Sequence, residues 1–224
     1  MIVVHHLEAS RSQRVLWALE ELGLDYEVRR YARDPKTSLG PPELKAVHPL
    51  GKSPVVTDGD RTLAESGAIL EYLVGTYGAG RLIPPAGSAE RDRYTYWLHY
   101  AEGSAMPPLL LKLIFTRMQS GRGLPFFARP LVRAVANKVL DSFVDPNLTL
   151  HLDWIEAELG RSTWFAGEEL TAADIQMSFP VEAGVTRAGG AHKRPRMAAF
   201  VERIHARPAF QRAIAKGGPF EILG

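Results

Sequence analysis

The sequence predicts a mixed α/β unit followed by an all-helical unit, and three patterns carry that expectation. Near the N-terminus, short β-branched runs surround one amphipathic stretch. A Pro- and Gly-rich segment, "GRLIPPAGSAE", then interrupts the chain at Gly80–Glu90. Beyond it, apolar residues recur at helical spacing through most of the remaining chain. With 224 residues, 46% of them apolar and 23% charged, the chain can bury two modest cores.

Each element follows in order. Ile2–Leu7 is an apolar, β-branched run and reads as the first strand. From Ser12, Val15, Leu16, Leu19 and Leu22 repeat at helical spacing, and Gly23 is placed to end the helix. "YEVRRY" at Tyr26–Tyr31 reads as a second strand, so the opening is a βαβ unit with its two strands parallel. A short helix is expected around "PPELKAV". The strands "SPVVTD" and "RTLAES" then pair as a hairpin about Gly59-Asp60. "ESGAILEYLVGTYG" closes the unit as a helix. The order βαβ–ββα is that of a thioredoxin-like domain, assigned to residues 1–79, with a linker at 80–87 and a helical domain at 88–224. Pro107-Pro108 should break the first long helix of that domain near Gly103, since each ring lacks a donor and crowds the carbonyl four residues back. "FVDPN" at Phe143–Asn147 is open between a kink and a connection.

Composition narrows the function. A formal net charge of +2 gives no support for nucleic acid as a partner, and "HKRPR" at His192–Arg196 is too short to change that. No apolar run reaches the roughly 18 residues that cross a bilayer, and no secretory pattern opens the chain, so a cytoplasmic protein without a membrane partner is expected. The absence of cysteine removes disulfides, thiolate metal sites and a cysteine nucleophile together. His5 and His6 point to opposite faces of one strand and cannot share a metal, so none is expected.

The residues that carry chemistry cluster around "GKSPVV" and "AES". An X-Pro step at the start of a strand suits a cis peptide, and a cis Ser53-Pro54 turns the Ser53 backbone toward an extended peptide ligand. Ser66, at a helix start, offers a hydroxyl and an N–H to a carboxylate, while Glu65 can take an ammonium. Lys52 can reach a second carboxylate. A peptide with a free amino-acid head and a terminal carboxylate fits those groups, and glutathione is such a peptide.

The chain resembles the cytosolic glutathione transferases along nearly its whole length, through "SRSQRVLWALEELGLDYE", "HPLGKSPVV", "ESGAILEYL", "WFAGEELTAADI" and "RIHARPAF" in that order. The resemblance implies that the thiol-activating residue is a Tyr, Ser or Cys at the end of the first strand or the start of the first helix. Here it falls to Ser10 or Ser12. Ser10 is favoured, because it precedes Arg14 in a Ser-x-x-x-Arg motif, whereas Ser12 reads as the helix N-cap. Arg11 adds positive potential beside glutathione, and Arg14 is an ion-pair partner. The electrophile site is assigned to Tyr100, Ser104 and Met106. Gly103 and Ser104 suggest close helix packing, within the chain or across a dimer. Thr171 and Asp174 form a structural capping box. The resemblance further implies a homodimer, a hydrophobic electrophile as second substrate and a role in detoxification. A glutathione peroxidase using the same thiolate and a non-catalytic binding module are the alternatives.

Overall fold

β1 (Ile2–Leu7) runs through the middle of a four-stranded sheet, flanked by β2 (Tyr26–Tyr31) and β3 (Val55–Asp58), with β4 (Arg61–Ala64) beyond β3. The structure is a computed structural model that describes residues 1–187 and 193–218; His192 of the short basic run lies outside them. β1 pairs parallel with β2, Ile2 opposite Tyr26, and antiparallel with β3, Val4 opposite Val56. The β3–β4 hairpin turns at Gly59-Asp60 as its turn residues demand. Its strands are shorter than expected, because Ser53 and Pro54 precede the ladder and Glu65 turns out of it with φ 71°.

Strand alternation decides what β1 presents. Ile2, Val4 and His6 share the face that carries the main core, where Ile2 and Val4 pack with Val15, Leu19, Ile69 and Leu73. Those partners come from α1 (Ser12–Leu22) and α3 (Ser66–Tyr77). α1 is buried almost all round, so it needs apolar neighbours on every side. Gly23 ends it with φ 61°, its N–H bonded to Glu20 and Leu19 carbonyls. The helix begins at Ser12 itself. Arg11 occupies the cap position without a side-chain cap bond, so the expected Ser12 N-cap is not formed. The short α2 (Pro42–Val47) buries Leu44.

The remaining elements among the described residues are helical: α4 (Ala89–Tyr100), α5 (Met106–Gln119), α6 (Arg129–Val139), α7 (Asp145–Glu158), α8 (Ala172–Arg187), α9 (Pro195–His205) and α10 (Pro208–Gly217). The proline breaks take one form. Between α4 and α5 a π-helical turn, Ala101–Ala105, widens the ladder so that Met106 N–H reaches the Ala101 carbonyl. Pro107 can then follow without colliding with the Gly103 carbonyl. A second π turn, Leu140–Val144, precedes Pro146 in the same way and settles "FVDPN" as a kink within one helical run. A Cβ added at Gly103 would meet open space, so this glycine does not mark close packing within the chain.

α10 is fastened to α1. Arg207 forks onto Glu21 at 2.5 and 2.9 Å, Arg212 and Lys216 each reach Glu20 at 2.7 Å, and Trp17 meets Phe210 edge-on. Among the described residues, no helix is long and apolar enough to cross a membrane, and no cluster of three His, Asp or Glu residues could hold a metal.

At the start of α8, half of the expected capping box is present. Asp174 accepts from the Thr171 N–H at 2.8 Å, but the Thr171 hydroxyl donates to Asp174 instead of accepting from its N–H. The second carboxylate oxygen takes the Phe165 N–H at 2.7 Å and ties the "WFAG" turn to the helix. Burial raises the Asp174 pKa to about 6 against these bonds. The native state therefore keeps this proton to higher pH than the unfolded chain, and stability falls as pH rises from 3.8 to about 6. Asp174→Asn is expected to flatten that part of the stability–pH curve in denaturant titrations. Asp174→Ala, which removes all three bonds, is expected to cost about 3 kcal/mol at neutral pH.

Candidate functional site

The glutathione-binding candidates singled out in the sequence converge on one cleft of about 160 Å³ between the β3 entrance, the α3 start and the first π turn. Arg11, Lys52, Ser53, Pro54, Glu65 and Ser66 line it together with His48, Leu50, Ala64 and Glu102. The Ser53-Pro54 peptide is cis. Lys52 and Glu65 are exposed, free to meet charges brought by a ligand. Glu65 holds a positive φ that a non-glycine residue rarely adopts, so the α3 start is conformationally strained at the cleft wall.

Ser66 is 4% exposed. Its hydroxyl oxygen accepts from Arg14 Nη1 at 3.3 Å and from Gln176 Nε2 of α8 at 3.1 Å. With two donors aimed at the oxygen, the hydroxyl hydrogen is left to point into the cleft.

Arg14 organises the floor. Its guanidinium is buried, 2.8 Å from Glu102 and 5.2 Å from the centre of the Phe179 ring. Burial lowers its pKa to about 10, opposed by Glu102, so it stays charged at neutral pH. Arg11 lies 3.4 Å from the same carboxylate and 5.5 Å from the same ring. The ion-pair role expected for Arg14 is the one observed.

Ser10 and Ser12 lie below the cleft wall. Ser10 is 6% exposed, and its Oγ is 2.7 Å from Ser12 Oγ and 3.4 Å from Ser53 Oγ. Ser12 is fully buried, its Oγ 2.8 Å from His6 Nδ1. Ser53 Oγ in turn donates to the His5 carbonyl at 2.9 Å and accepts the Leu7 N–H at 3.2 Å. Both serines stand at the N-terminus of α1, whose first turn carries no acidic residue to offset its positive end.

The electrophile candidates stand apart from the cleft. Tyr100 and Met106 belong to the main core, and Tyr100 Oη is 2.6 Å from His151 Nδ1. Ser104 is half-buried on the π turn that carries Glu102. Sequence reasoning missed Glu102, Gln176 and the pairing of His6 with Ser12. An acidic residue just ahead of a Pro-Pro break was the available sign for Glu102, since π turns concentrate at functional sites.

A thioredoxin-like sheet whose cis-proline edge faces a helical domain, with serines at the first helix start, defines a class of thiol-handling transferases. Comparison with known proteins agrees. Residues 1–75 match the family described as glutathione S-transferase, N-terminal domain, and residues 130–208 match glutathione S-transferase, C-terminal domain. Glutathione S-transferase 3 of Schizosaccharomyces pombe is 40% identical over 181 residues, spanning 81% of this chain and 73% of that protein. Glutathione S-transferase 1 of Saccharomyces cerevisiae is 35% identical over 194 residues, spanning 84% and 82%. A crystal structure of a glutathione S-transferase from Actinobacillus pleuropneumoniae superposes with a TM-score of 0.81 at 34% identity, covering 97% of this chain and 93% of that one. The chain belongs to the glutathione S-transferase family.

Glu102→Ala is expected to lower unfolding free energy by about 2 kcal/mol, because it strands the buried Arg14 charge. Chemical denaturation checks this, and an unchanged midpoint would contradict the assigned ion pair.

Proposed function

We propose that the chain is a glutathione transferase in which Ser10 ionises the glutathione thiol and the thiolate then attacks an electrophilic small molecule. The observation that carries this reading is the position of the Ser10 hydroxyl, at the positive end of α1 and 3.4 Å from Ser53 Oγ, a wall residue of the cleft. Ser12 is fully buried behind it and suits a supporting role.

The tripeptide would lie along the cleft in an extended form. Its amino-acid head would meet the Ser66 hydroxyl and Glu65, its middle the Ser53 backbone beside Pro54, and its far carboxylate Lys52. Arg11 adds positive potential between these points. The energetic demand is modest. Lowering a thiol from about 8.5 by ~2 pH units requires about 2.7 kcal/mol. A hydrogen bond to a charged acceptor supplies roughly 1.5–3 kcal/mol, and a helix N-terminus adds about 0.3–2 kcal/mol. No proton-accepting triad is required for that total.

The second substrate would approach from the side of the π turn, where Ser104 is the half-buried candidate; Tyr100 and Met106 are residues of the main core. The reading includes a homodimer, for which the exposed Leu110, Ile114, Phe127 and Leu131 of the helical domain supply apolar surface, and a cytoplasmic role in detoxification.

Ser10→Ala is expected to cut kcat with a chlorinated nitroaromatic at least tenfold, about 1.4 kcal/mol, while calorimetry finds glutathione affinity nearly unchanged. Loss in Ser12→Ala with full activity in Ser10→Ala would reverse the assignment. Parallel assay with an organic hydroperoxide separates transfer from peroxide reduction. Light scattering at micromolar concentration is expected to give twice the chain mass.

A further inference from the structure

Gln176 is a polar side chain on a stretch of α8 that is otherwise packed with apolar ones. Its sequence neighbours Ala172, Ala173, Ile175 and Met177 are fully buried, and Gln176 itself is only 1% exposed. Burying an amide costs free energy unless hydrogen bonds replace those lost to water. Here the amide reaches out of its own domain: Nε2 donates to Ser66 Oγ at 3.1 Å, on the first residue of α3. Asp174 fixes where α8 begins by accepting the Phe165 and Thr171 N–H groups, so Gln176 meets Ser66 from an anchored helix end. Arg14 Nη1 donates to the same oxygen at 3.3 Å.

A hydroxyl oxygen has two lone pairs and one hydrogen. Arg14 and Gln176 fill both lone pairs, so Ser66 has nothing left with which to accept and meets a ligand as a donor alone. With Arg14 as its single partner, one lone pair would stay open, and the hydroxyl would suit an ammonium as well as a carboxylate. The Arg14 charge does not settle that choice by itself, because Glu102 stands 2.8 Å from it. Glu65, beside Ser66 in the cleft wall, has the opposite character, since its carboxylate accepts and does not donate. The two residues therefore read the two charges of an amino-acid head separately.

We infer that Gln176 is a positioning residue that sets the head-group specificity of the cleft: by filling the second lone pair of Ser66, it commits that hydroxyl to a carboxylate. The inference rests on the head placement at Glu65 and Ser66 proposed above, and it adds a residue that acts on the tripeptide only through Ser66. It also names the class of co-substrate selected there, thiol peptides whose head keeps its α-carboxylate. Specificity for the head is then divided between the two domains. The sheet domain supplies the hydroxyl and the helical domain decides which way it points.

The test measures affinity by calorimetry, in the full-length protein, for glutathione and two analogues. Glutaryl-Cys-Gly lacks the head ammonium, and 4-aminobutyryl-Cys-Gly lacks the head carboxylate. Gln176→Met keeps the length of the side chain and removes the donor. It is expected to weaken glutathione and glutaryl-Cys-Gly about fivefold each, the scale of one hydrogen bond, and to leave 4-aminobutyryl-Cys-Gly within about twofold. In turnover the change falls on KM for glutathione rather than on kcat. With Ser66→Ala already present, Gln176→Met is expected to cost nothing further. An equal loss for all three peptides, or a loss that persists beside Ser66→Ala, overturns the inference. Ser66→Ala by itself tests the underlying placement. If it weakens all three peptides alike, the head does not lie at Ser66 and that reading falls; if it spares 4-aminobutyryl-Cys-Gly while Gln176→Met shows no such preference, only the role of Gln176 falls. Should Gln176→Met not fold, a crystal structure of the wild type with glutathione decides. The head carboxylate on Ser66 Oγ, with Gln176 Nε2 still on that oxygen, is the expected result. An ammonium on Ser66 Oγ, or a head carboxylate bonded directly to Gln176, overturns it.

Discussion

The buried Arg14 guanidinium is the constraint on which the site geometry depends. Removing such a charge from water costs several kcal/mol, and the cost is offset only where the surrounding groups are already in place. Glu102 supplies the carboxylate, Ser66 an acceptor oxygen and Phe179 the face of a ring. Each partner comes from a different element: the π turn between α4 and α5, the start of α3, and α8. One side chain from α1 therefore joins the sheet domain to the helical domain directly beneath the cleft. The same contact fixes the Ser66 oxygen, and with it the direction of the hydroxyl hydrogen offered to a ligand.

The start of α1 acts on the cleft in a second way. Because β1 alternates, His6 shares a face with Ile2 and Val4 and meets Ser12, while His5 turns to the other side and pairs with Tyr31 at 2.8 Å. The two serines are thus held between a strand side chain and the cleft wall. The ion pairs from α10 to Glu20 and Glu21 keep the Gly217 backbone against that arrangement.

Much of this was legible in the sequence because its signals are local. A β-branched apolar run gave β1, an alternating one gave β2, apolar repeats with Gly23 gave α1, and Gly59-Asp60 gave the hairpin turn. The cleft residues from Lys52 to Ser66 were legible because the chemistry of an X-Pro strand entrance and a helix start belongs to short segments. What escaped was long-range. Glu102 lies 88 residues from Arg14, and Gln176 lies 110 from Ser66, and no local pattern announces such pairs. The prolines at 107 and 146 signalled a break but not that a π turn would absorb it. Ser12 looked like a cap because Ser favours that position, yet burial against His6 claimed its hydroxyl.

With no cysteine in the chain, the reacting sulfur must arrive with glutathione, and the protein's task is to place that sulfur and remove its proton. A crystal structure of the protein with glutathione bound tests the central claim most directly. The account expects the sulfur within about 3.5 Å of Ser10 Oγ, with the amino-acid head at Glu65 and Ser66. A sulfur lying beyond reach of Ser10, with the tripeptide otherwise seated along Pro54, would contradict it.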